Sequence, residues 1–141
     1  MILLDTNHIS VIKYKDSVAY HQLMANMRTS VDQDFVTSII TAEEQMRGWL
    51  AIIHKTSDAE KQVGHYAKLG ELFVFFQKWR LLPFDVASAK TFKFLRSEGV
   101  RIGNKDLKIA SIALTHSLLL LTANTRDFSQ VPRLQFEDWT V

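Results

Sequence analysis

Four acidic residues occupy positions at which their side chains could act together. Each lies next to the end of a predicted strand or the start of a predicted helix: Asp5, Glu44, Asp106 and Asp127. Carboxylates that converge on one crevice repel one another and destabilise the fold unless a cation neutralises them. Oxygen ligands select Mg²⁺ or Mn²⁺, ions that bind phosphate oxygens and activate water for attack on phosphorus. The chemistry that these side chains could support is therefore metal-assisted hydrolysis of a phosphate ester.

Each acid also has a structural interpretation that needs no ligand. Thr41 and Glu44 fit a capping box at a helix start, and Asp106 fits the negative charge that the first turn of a helix favours. Taken singly, either acid is better explained in this way. Asp5 is harder to explain, because a carboxylate directly after three apolar strand residues must be hydrogen-bonded or metal-bound, although an ordinary turn is an alternative. Asp85 also follows an apolar run, but a helical pattern begins directly after it, so we predict that it caps that helix.

The pattern of apolar residues predicts alternating strands and helices. Short continuous apolar runs predict strands at 2–4, 35–36, 81–84, 118–121 and 134–136. Apolar residues at helical spacing predict helices at 18–27, 41–53, 58–79, 86–95 and 106–115, the fourth of them stopped by Gly99. The triplet Asp5-Thr6-Asn7 predicts a loop after the first strand. Continuous apolar strands are typical of a parallel sheet covered on both faces, so we predict an α/β fold that binds ligands beyond the carboxyl ends of its strands.

Length and composition limit the class of protein. The chain has 141 residues, of which 47% are apolar, enough for one domain with one hydrophobic core over residues 1–141. No cysteine is present, which excludes disulfides and thiolate metal sites. The net charge of +2 does not by itself indicate a nucleic acid partner. The first residues do not resemble a secretory signal and no apolar stretch is long enough for a membrane helix, so we expect a cytoplasmic protein.

Four sequence blocks connect the acids in chain order. The blocks are Leu3-Leu4-Asp5-Thr6-Asn7; then Ser38, Thr41, Glu44 and Gly48; then Ile-Gly-Asn-Lys-Asp-Leu-Lys-Ile-Ala at 102–110; then Thr-Ala-Asn-Thr-Arg-Asp-Phe at 122–128, with Pro132, Leu134, Asp138 and Trp139 after it. In this order and spacing the chain resembles the PIN-domain ribonucleases of the VapC toxin type, over essentially its full length. The spacing to Gly48 selects Glu44 rather than Glu43 as the second acid.

The resemblance implies a fold, an activity and partners. The fold would be a PIN-like three-layer α/β/α sandwich with a central, mostly parallel sheet. The activity would be that of a Mg²⁺- or Mn²⁺-dependent endoribonuclease that hydrolyses structured RNA, such as transfer or ribosomal RNA, with a metal-activated water. Asp5, Glu44 and Asp106 would hold the ion; because Asn124 stands where some relatives have an acid, the fourth carboxylate is either Asp127 or missing. The implied partners are the RNA, a VapB-type antitoxin and a second copy of the chain in a homodimer.

Polar residues beside the acids are candidates for a supporting role. Thr6, Asn7 and Ser38 could orient the carboxylates or waters, or could equally cap adjacent helices. Asn124 is a further supporting candidate within the fourth block. His8 is the histidine nearest to the acids in the sequence, and its role is left open.

Two other features concern the partners. Lys105 and Arg126 flank the third and fourth blocks and are candidates to contact RNA phosphates, although a solvated surface is the commoner role of such residues.

The segment 72–76, Leu-Phe-Val-Phe-Phe, is apolar around more than one helical face. It indicates either a groove for an amphipathic antitoxin helix or burial of the whole segment.

Two alternative functions fit the same residues. One is a PIN nuclease outside a toxin–antitoxin pair, acting in RNA processing or decay. The other is a regulatory RNA-binding domain that has lost turnover, which only Asn124 favours. The presence of Asp5, Glu44 and Asp106 favours an enzyme.

Overall fold

Five short strands form one sheet at the centre of the molecule. The computed structural model describes residues 1–141, and its strands are β1 (Ile2–Leu4), β2 (Phe35–Ser38), β3 (Leu81–Leu82), β4 (Leu119–Leu121) and β5 (Phe136–Glu137). The strand order is β3-β2-β1-β4-β5, and every pairing is parallel. All the carboxyl ends therefore lie along one edge of the sheet. The predicted parallel α/β sheet is confirmed, although β3 is shorter than the predicted 81–84 and β5 lies later than the predicted 134–136.

Seven helices cover the two faces of the sheet. They are α1 (Thr6–Lys13), α2 (Val18–Thr29), α3 (Ile39–Lys55), α4 (Ala59–Gln77), α5 (Val86–Ser97), α6 (Asn104–Thr115) and α7 (Thr125–Phe128). Alternate strand residues point to opposite faces of a sheet. Leu3 and Leu120 accordingly lie in a core cluster with residues of α5 and α6, whereas Leu4 and Leu121 lie in a second cluster with residues of α1, α2 and α4. The three-layer α/β/α arrangement is confirmed.

The chain passes directly from β1 into helix α1. Asp5 is the N-cap residue of α1, because its side chain accepts a hydrogen bond from the backbone N–H of Thr6. The loop predicted at Asp5-Thr6-Asn7 is therefore wrong. Most residues of α1 are weak helix formers, so the helix is stabilised by tertiary packing, including that of the fully buried Ile9, rather than by intrinsic propensity.

Helix α3 begins earlier than predicted, at Ile39. Ser38 is its N-cap residue, since the Ser38 hydroxyl accepts a hydrogen bond from the backbone N–H of Thr41 at 3.2 Å. The capping box predicted from Thr41 and Glu44 is therefore wrong. The Thr41 hydroxyl instead lies 3.1 Å from the Thr6 hydroxyl and links α3 to α1. Glu44 has no part in starting the helix, so its side chain needs another explanation.

Both ends of α5 and the start of α6 agree more closely with the sequence predictions. Asp85 caps α5 as predicted, accepting a hydrogen bond from the backbone N–H of Ser88 at 2.8 Å. Gly99 follows the end of α5 with φ 86°, a left-handed conformation that favours glycine. Helix α6 begins at Asn104, two residues before the predicted start, which leaves Asp106 within its first turn.

The apolar segment of α4 is neither fully buried nor fully exposed. Leu72 and Phe76 are buried, and Phe75 is half-buried against the same core cluster. Phe73 and Val74 are 51% and 55% exposed. Burial of the whole segment is therefore excluded, and one apolar face of α4 is open to solvent. No helix in the structure has the length and apolar character that spanning a bilayer requires.

Candidate active site

Asp5 is buried at the carboxyl end of β1, and three hydrogen bonds hold its carboxylate. Oδ1 accepts from the backbone N–H of Thr6 at 2.7 Å. Oδ2 accepts from Thr122 Oγ1 at 2.7 Å and from Asn7 Nδ2 at 3.1 Å. Burial raises the pKa of Asp5 to about 6 even though these hydrogen bonds favour the ionised form, and the charge of Asp106 adds to the increase. The fold thus fixes this carboxylate in an environment that disfavours its charge.

The candidate supporting residues have different roles in the structure. Asn7 orients Asp5, whereas Ser38 caps α3. Thr6 offers its backbone N–H to Asp5 and its hydroxyl to α3. Thr122, which donates the shorter hydrogen bond to Asp5 Oδ2, was not predicted as a site residue. The only sequence signal for Thr122 was its position at the end of the predicted strand 118–121, in the fourth block.

Glu44 belongs to α3, and one of its carboxylate oxygens has no hydrogen-bond partner. This oxygen, Oε1, is buried. Burial raises the pKa of Glu44, and the charges of Asp5 and Asp106 raise it too, whereas the charge of Lys105 lowers it. A buried polar atom without a partner costs about 1–3 kcal/mol. Glu44 is therefore a carboxylate that a positive ligand would stabilise.

Asn124 joins the two remaining acids. Its Nδ2 donates to Asp106 Oδ2 at 3.0 Å and to Asp127 Oδ2 at 3.2 Å. Burial raises the pKa of Asp106, and the charge of Asp127 raises it further, while the hydrogen bond from Asn124 opposes both. Asn124 thus holds one oxygen of Asp106 in place and separates two like charges. Asp127 lies beside Asp106, with the Asn124 amide between them.

The two predicted RNA-contacting residues lie at the margin of this site in different settings. Lys105 is partly buried and close enough to lower the pKa of Glu44. The side chain of Arg126 is 92% exposed, and its Nε lies 3.4 Å from Asp127 Oδ1. A pair this exposed adds little to stability. Lys105 is therefore part of the electrostatics of the site, whereas Arg126 is a surface cation beside it.

The donor set fits a hard divalent cation. Asp5, Glu44 and Asp106 come from three separate elements, and each pair is close enough for one charge to raise the pKa of the other. As they stand, no three His, Asp or Glu side chains form a group placed to hold a metal ion. The unpartnered Glu44 Oε1 is nevertheless an oxygen donor in need of a cation. Carboxylate oxygens, without nitrogen or sulfur, are the donors that Mg²⁺ and Mn²⁺ prefer.

Relatives in sequence cover nearly the whole chain. The family model described as PIN domain matches residues 2–134. Ribonuclease VapC2 from Rickettsia felis is 29% identical over 97% of this chain and 96% of its own length. Ribonuclease VapC from Rickettsia bellii is 30% identical over 76% of this chain and 77% of its own length. The tRNA(fMet)-specific endonuclease VapC from Salmonella typhimurium is 27% identical over 97% of this chain and 96% of its own length.

Solved structures agree with the sequence relatives. The crystal structure of VapBC2 from Rickettsia felis bound to a promoter DNA fragment has a TM-score of 0.69 and 26% identity, covering 99% of both chains. DNA-bound VapBC from Salmonella typhimurium has a TM-score of 0.72 and 26% identity, also covering 99% of both chains. The fold, the order of the four blocks and the family match agree, and the chain therefore belongs to the PIN-domain family, in its VapC branch.

Proposed function

We propose that residues 1–141 form one PIN domain that acts as a Mg²⁺- or Mn²⁺-dependent endoribonuclease, the cytoplasmic toxin of a VapBC-type pair. The observation that carries the proposal is that Asp5, Glu44 and Asp106 lie close enough to raise one another's pKa, while one buried Glu44 oxygen lacks a partner. The names of the relatives, Ribonuclease VapC2 and tRNA(fMet)-specific endonuclease VapC, support RNA as the substrate. The proposed target is a structured RNA, either transfer or ribosomal RNA.

In the proposed mechanism Asp5, Glu44 and Asp106 hold the ion. When bound, the ion supplies a water of lowered pKa and positive charge beside the scissile phosphate. The protein's own contribution is to keep the acids in place: Thr122 and Asn7 fix one oxygen of Asp5. Attack by water rather than by the 2′-hydroxyl leaves 5′-phosphate and 3′-hydroxyl ends.

Asn124 and Asp127 complete the acidic side of the site in this proposal. Asn124 donates to both Asp106 and Asp127, so it can orient the first and keep the second nearby without adding a charge. Asp127 then acts as the fourth acid, at the margin, where it favours a cation electrostatically. An orienting role for Asn124 supports an enzyme over an RNA-binding domain without turnover.

The RNA backbone would be bound by cations at the margin. Lys105 lies beside Glu44 and Arg126 beside Asp127, so both can reach a phosphate held near the acids. Each neutralised phosphate adds affinity that falls as salt rises. We propose Lys105 as the stronger contact, because its partly buried charge is screened less than that of the exposed Arg126.

Sequencing of RNA 5′ ends after brief expression of the chain tests the activity and the target together. We expect new 5′ ends at a small number of sites, and we expect Asp5→Asn to abolish them. Asp85→Asn is the matched control, since Asp85 caps α5 and Asn caps helices equally well. Cleavage that persists in Asp5→Asn, or that yields 2′,3′-cyclic phosphate ends, would contradict the proposed chemistry.

The proposed protein partners are a VapB-type antitoxin and a second copy of the chain. The solved VapBC relatives support the antitoxin, and the open apolar face of α4 supplies a surface for an amphipathic helix. Phe73→Asp should weaken co-purification of the antitoxin without lowering the melting temperature. Val86→Asp on α5 is the control, because Val86 is also exposed but lies outside this surface. An unchanged complex in Phe73→Asp would exclude this face.

A further inference from the structure

His8 is fully buried in α1, three residues after Asp5, and the chemistry proposed above does not use it. Both of its ring nitrogens have a partner. Nδ1 lies 2.8 Å from Asn7 Oδ1, and Nε2 lies 3.2 Å from the backbone nitrogen of Trp139. The ring is thus held between a residue that contacts Asp5 and a segment far along the chain.

A backbone group determines the orientation of the Asn7 amide. The N–H of Ala123 can only donate, and it lies 3.0 Å from Asn7, so the Asn7 atom at that point is the carbonyl oxygen Oδ1. Because Oδ1 can only accept, the His8 Nδ1 that faces the same oxygen carries the proton. The amide nitrogen of Asn7 then faces Asp5 Oδ2 at 3.1 Å and Thr122 Oγ1 at 3.3 Å. One consistent set of donors and acceptors runs from His8 to Asp5.

The other side of the imidazole requires the same tautomer. With the proton on Nδ1, Nε2 has a free lone pair, and the backbone N–H of Trp139 donates to it. The Trp139 carbonyl accepts from Asn26 Nδ2 at 3.0 Å, so the backbone of Trp139 is held through both its N–H and its carbonyl. Asp138 is the charged group that faces the ring, with Oδ1 3.7 Å from Nε2, but that oxygen already accepts from the backbone N–H of Thr140 at 2.9 Å. Burial lowers the pKa of His8 to about 4 despite this carboxylate, so the ring is neutral at pH 7.

We propose that His8 is a positioning residue for the candidate active site and acts through the Asn7 amide on Asp5. Without the Nδ1 proton, Asn7 Oδ1 keeps only the Ala123 N–H, and the amide that donates to Asp5 Oδ2 is less firmly oriented. The expected effect is on the placement of Asp5 and not on contact with RNA. Turnover should therefore fall while the KM for RNA stays the same. This kinetic effect rests on the proposed ribonuclease function, whereas the tautomer does not.

The tautomer is tested first, by ¹⁵N NMR of the imidazole in the full metal-free chain at pH 7. We expect a protonated Nδ1 and an unprotonated Nε2 at His8. A proton on Nε2 would overturn the proposal. Because this measurement needs neither RNA nor metal, its failure is distinguishable from failure of the proposed function.

Two substitutions at His8 then separate positioning from folding. His8→Phe removes both hydrogen bonds, whereas His8→Gln keeps one donor and one acceptor on a side-chain amide. We expect His8→Phe to lower kcat and the affinity for Mn²⁺ each about tenfold, with KM unchanged, the size of effect typical of residues behind metal ligands. We expect His8→Gln to restore most of both.

Ile9→Val is the control, since Ile9 is a buried neighbour outside this hydrogen-bond set. It should lower stability without changing kcat per folded molecule. A wild-type kcat in His8→Phe, an equal loss of kcat in Ile9→Val, or no recovery in His8→Gln would overturn the proposal. If the wild-type chain cleaves no RNA, the Mn²⁺ titrations decide: weaker binding in His8→Phe alone supports positioning, and equal binding in all variants overturns it.

Discussion

The two central acids of the site are supported in opposite ways. Asp5 accepts three hydrogen bonds and forms, with Asn7 and Thr122, what we call the anchored half of the site. Glu44, which forms the open half with Lys105, leaves a buried oxygen without a partner. The fold therefore supplies the geometry of one carboxylate and leaves the other to be completed by a ligand. Burial disfavours the charge of both, so the difference lies in hydrogen bonding and not in burial.

The difference in hydrogen bonding between Asp5 and Glu44 follows from the elements that carry them. Asp5 ends a central strand, where the neighbouring strand β4 brings Thr122 alongside it. Glu44 projects from helix α3 instead, and its buried Oε1 receives no hydrogen bond from any neighbouring element. A carboxylate at a strand end is thus easily fixed by the next strand, whereas one on a helix depends on what enters the crevice.

The largest expected effect comes from removing the charge of the open half. Glu44→Gln should lower RNA cleavage by at least about 1,000-fold, because a proposed metal ligand is lost. In the metal-free protein it should raise the free energy of unfolding at pH 7, because the Gln amide carries no charge for burial to disfavour or for Asp5 and Asp106 to repel. Rate assays and urea unfolding without divalent ions measure the two effects.

Glu43→Gln is the matched control for this change. Glu43 precedes Glu44 on the same helix but pairs with Arg47 at 2.7 Å on the surface. It should change neither cleavage nor stability by a measurable amount. A Glu44→Gln protein that is less stable than wild type without metal would show that the open half is already satisfied by the fold.

The pH dependence of the free energy of unfolding should report on Asp5 in the anchored half and on the nearby His8. Folded Asp5 has a pKa of about 6 against an ordinary value of 3.8, so it lowers the free energy of unfolding as the pH rises through that interval. Folded His8 has a pKa of about 4 against 6.5, so it raises the free energy of unfolding as the pH rises through its own interval. Each group alone would change the stability by about 3 kcal/mol. The two contributions have opposite signs and largely cancel.

We therefore expect the contributions of Asp5 and His8 to cancel in the metal-free protein, whatever slope the other titrating groups, including Glu44 and Asp106, add. His8→Gln removes one of the two contributions, so relative to the wild type it should lose about 3 kcal/mol as the pH rises from about 4 to about 6.5. Urea unfolding at a series of pH values measures both slopes. A slope in His8→Gln that is equal to that of the wild type would contradict the opposition of Asp5 and His8.

A smaller effect is expected at two buried threonines, whose substitution by valine should lower stability by different amounts. Thr122→Val removes a donor to Asp5 Oδ2 and should lower the free energy of unfolding at pH 7 by about 2 kcal/mol. Thr41→Val removes a hydroxyl whose partner is another hydroxyl, on Thr6, and should cost about half as much. Both are fully buried and the substitution is the same, so the difference reports the charge of the acceptor. Equal losses of stability would show that the charge of Asp5 adds nothing to the Thr122 hydrogen bond.

The smallest effect is expected at the margin of the site. In an Asp5→Asn background that does not cleave, Lys105→Ala should weaken RNA binding severalfold and reduce the salt dependence by about one phosphate contact. Arg126→Ala should weaken RNA binding less than Lys105→Ala does, since the Arg126 side chain is 92% exposed. Arg133→Ala, close before the start of β5 at the opposite edge of the sheet, should change nothing. Equal losses at Lys105 and Arg133 would indicate nonspecific attraction to the whole surface.

Local sequence patterns and the family resemblance predict the sheet and four acidic site residues, but not the hydrogen bonds around those acids. The strand at 2–4 and the blocks containing Asp5, Glu44 and Asp106 were recognisable because each is a short contiguous signal. Helix α1 was missed, because its residues have weak helix propensity and it is stabilised by tertiary packing. The capping box at Thr41 is wrong for a different, local reason: Ser38 at the strand end caps the helix, and the Thr41 hydroxyl contacts α1 instead.

The hydrogen bonds that fix the acids join residues far apart in the chain, and this explains why they were not predicted. Thr122 is 117 residues from Asp5, and Trp139 is 131 residues from His8. No local periodicity encodes such pairs, which arise only when β1, β4 and the segment after β5 lie side by side. Asn124 is the exception, because its place in the fourth block marks it as a site residue, and its amide does contact Asp106.

The contact between His8 and Trp139 joins residues that are synthesised at different times. During translation the residues around Asp5 are made first, but the peptide that holds the imidazole is not made until position 139. A nascent chain that already carries Asp5, Glu44 and Asp106 still lacks the support on which the Asn7 amide depends. The arrangement around Asp5 is therefore complete only after the segment that follows β5 has folded against α1.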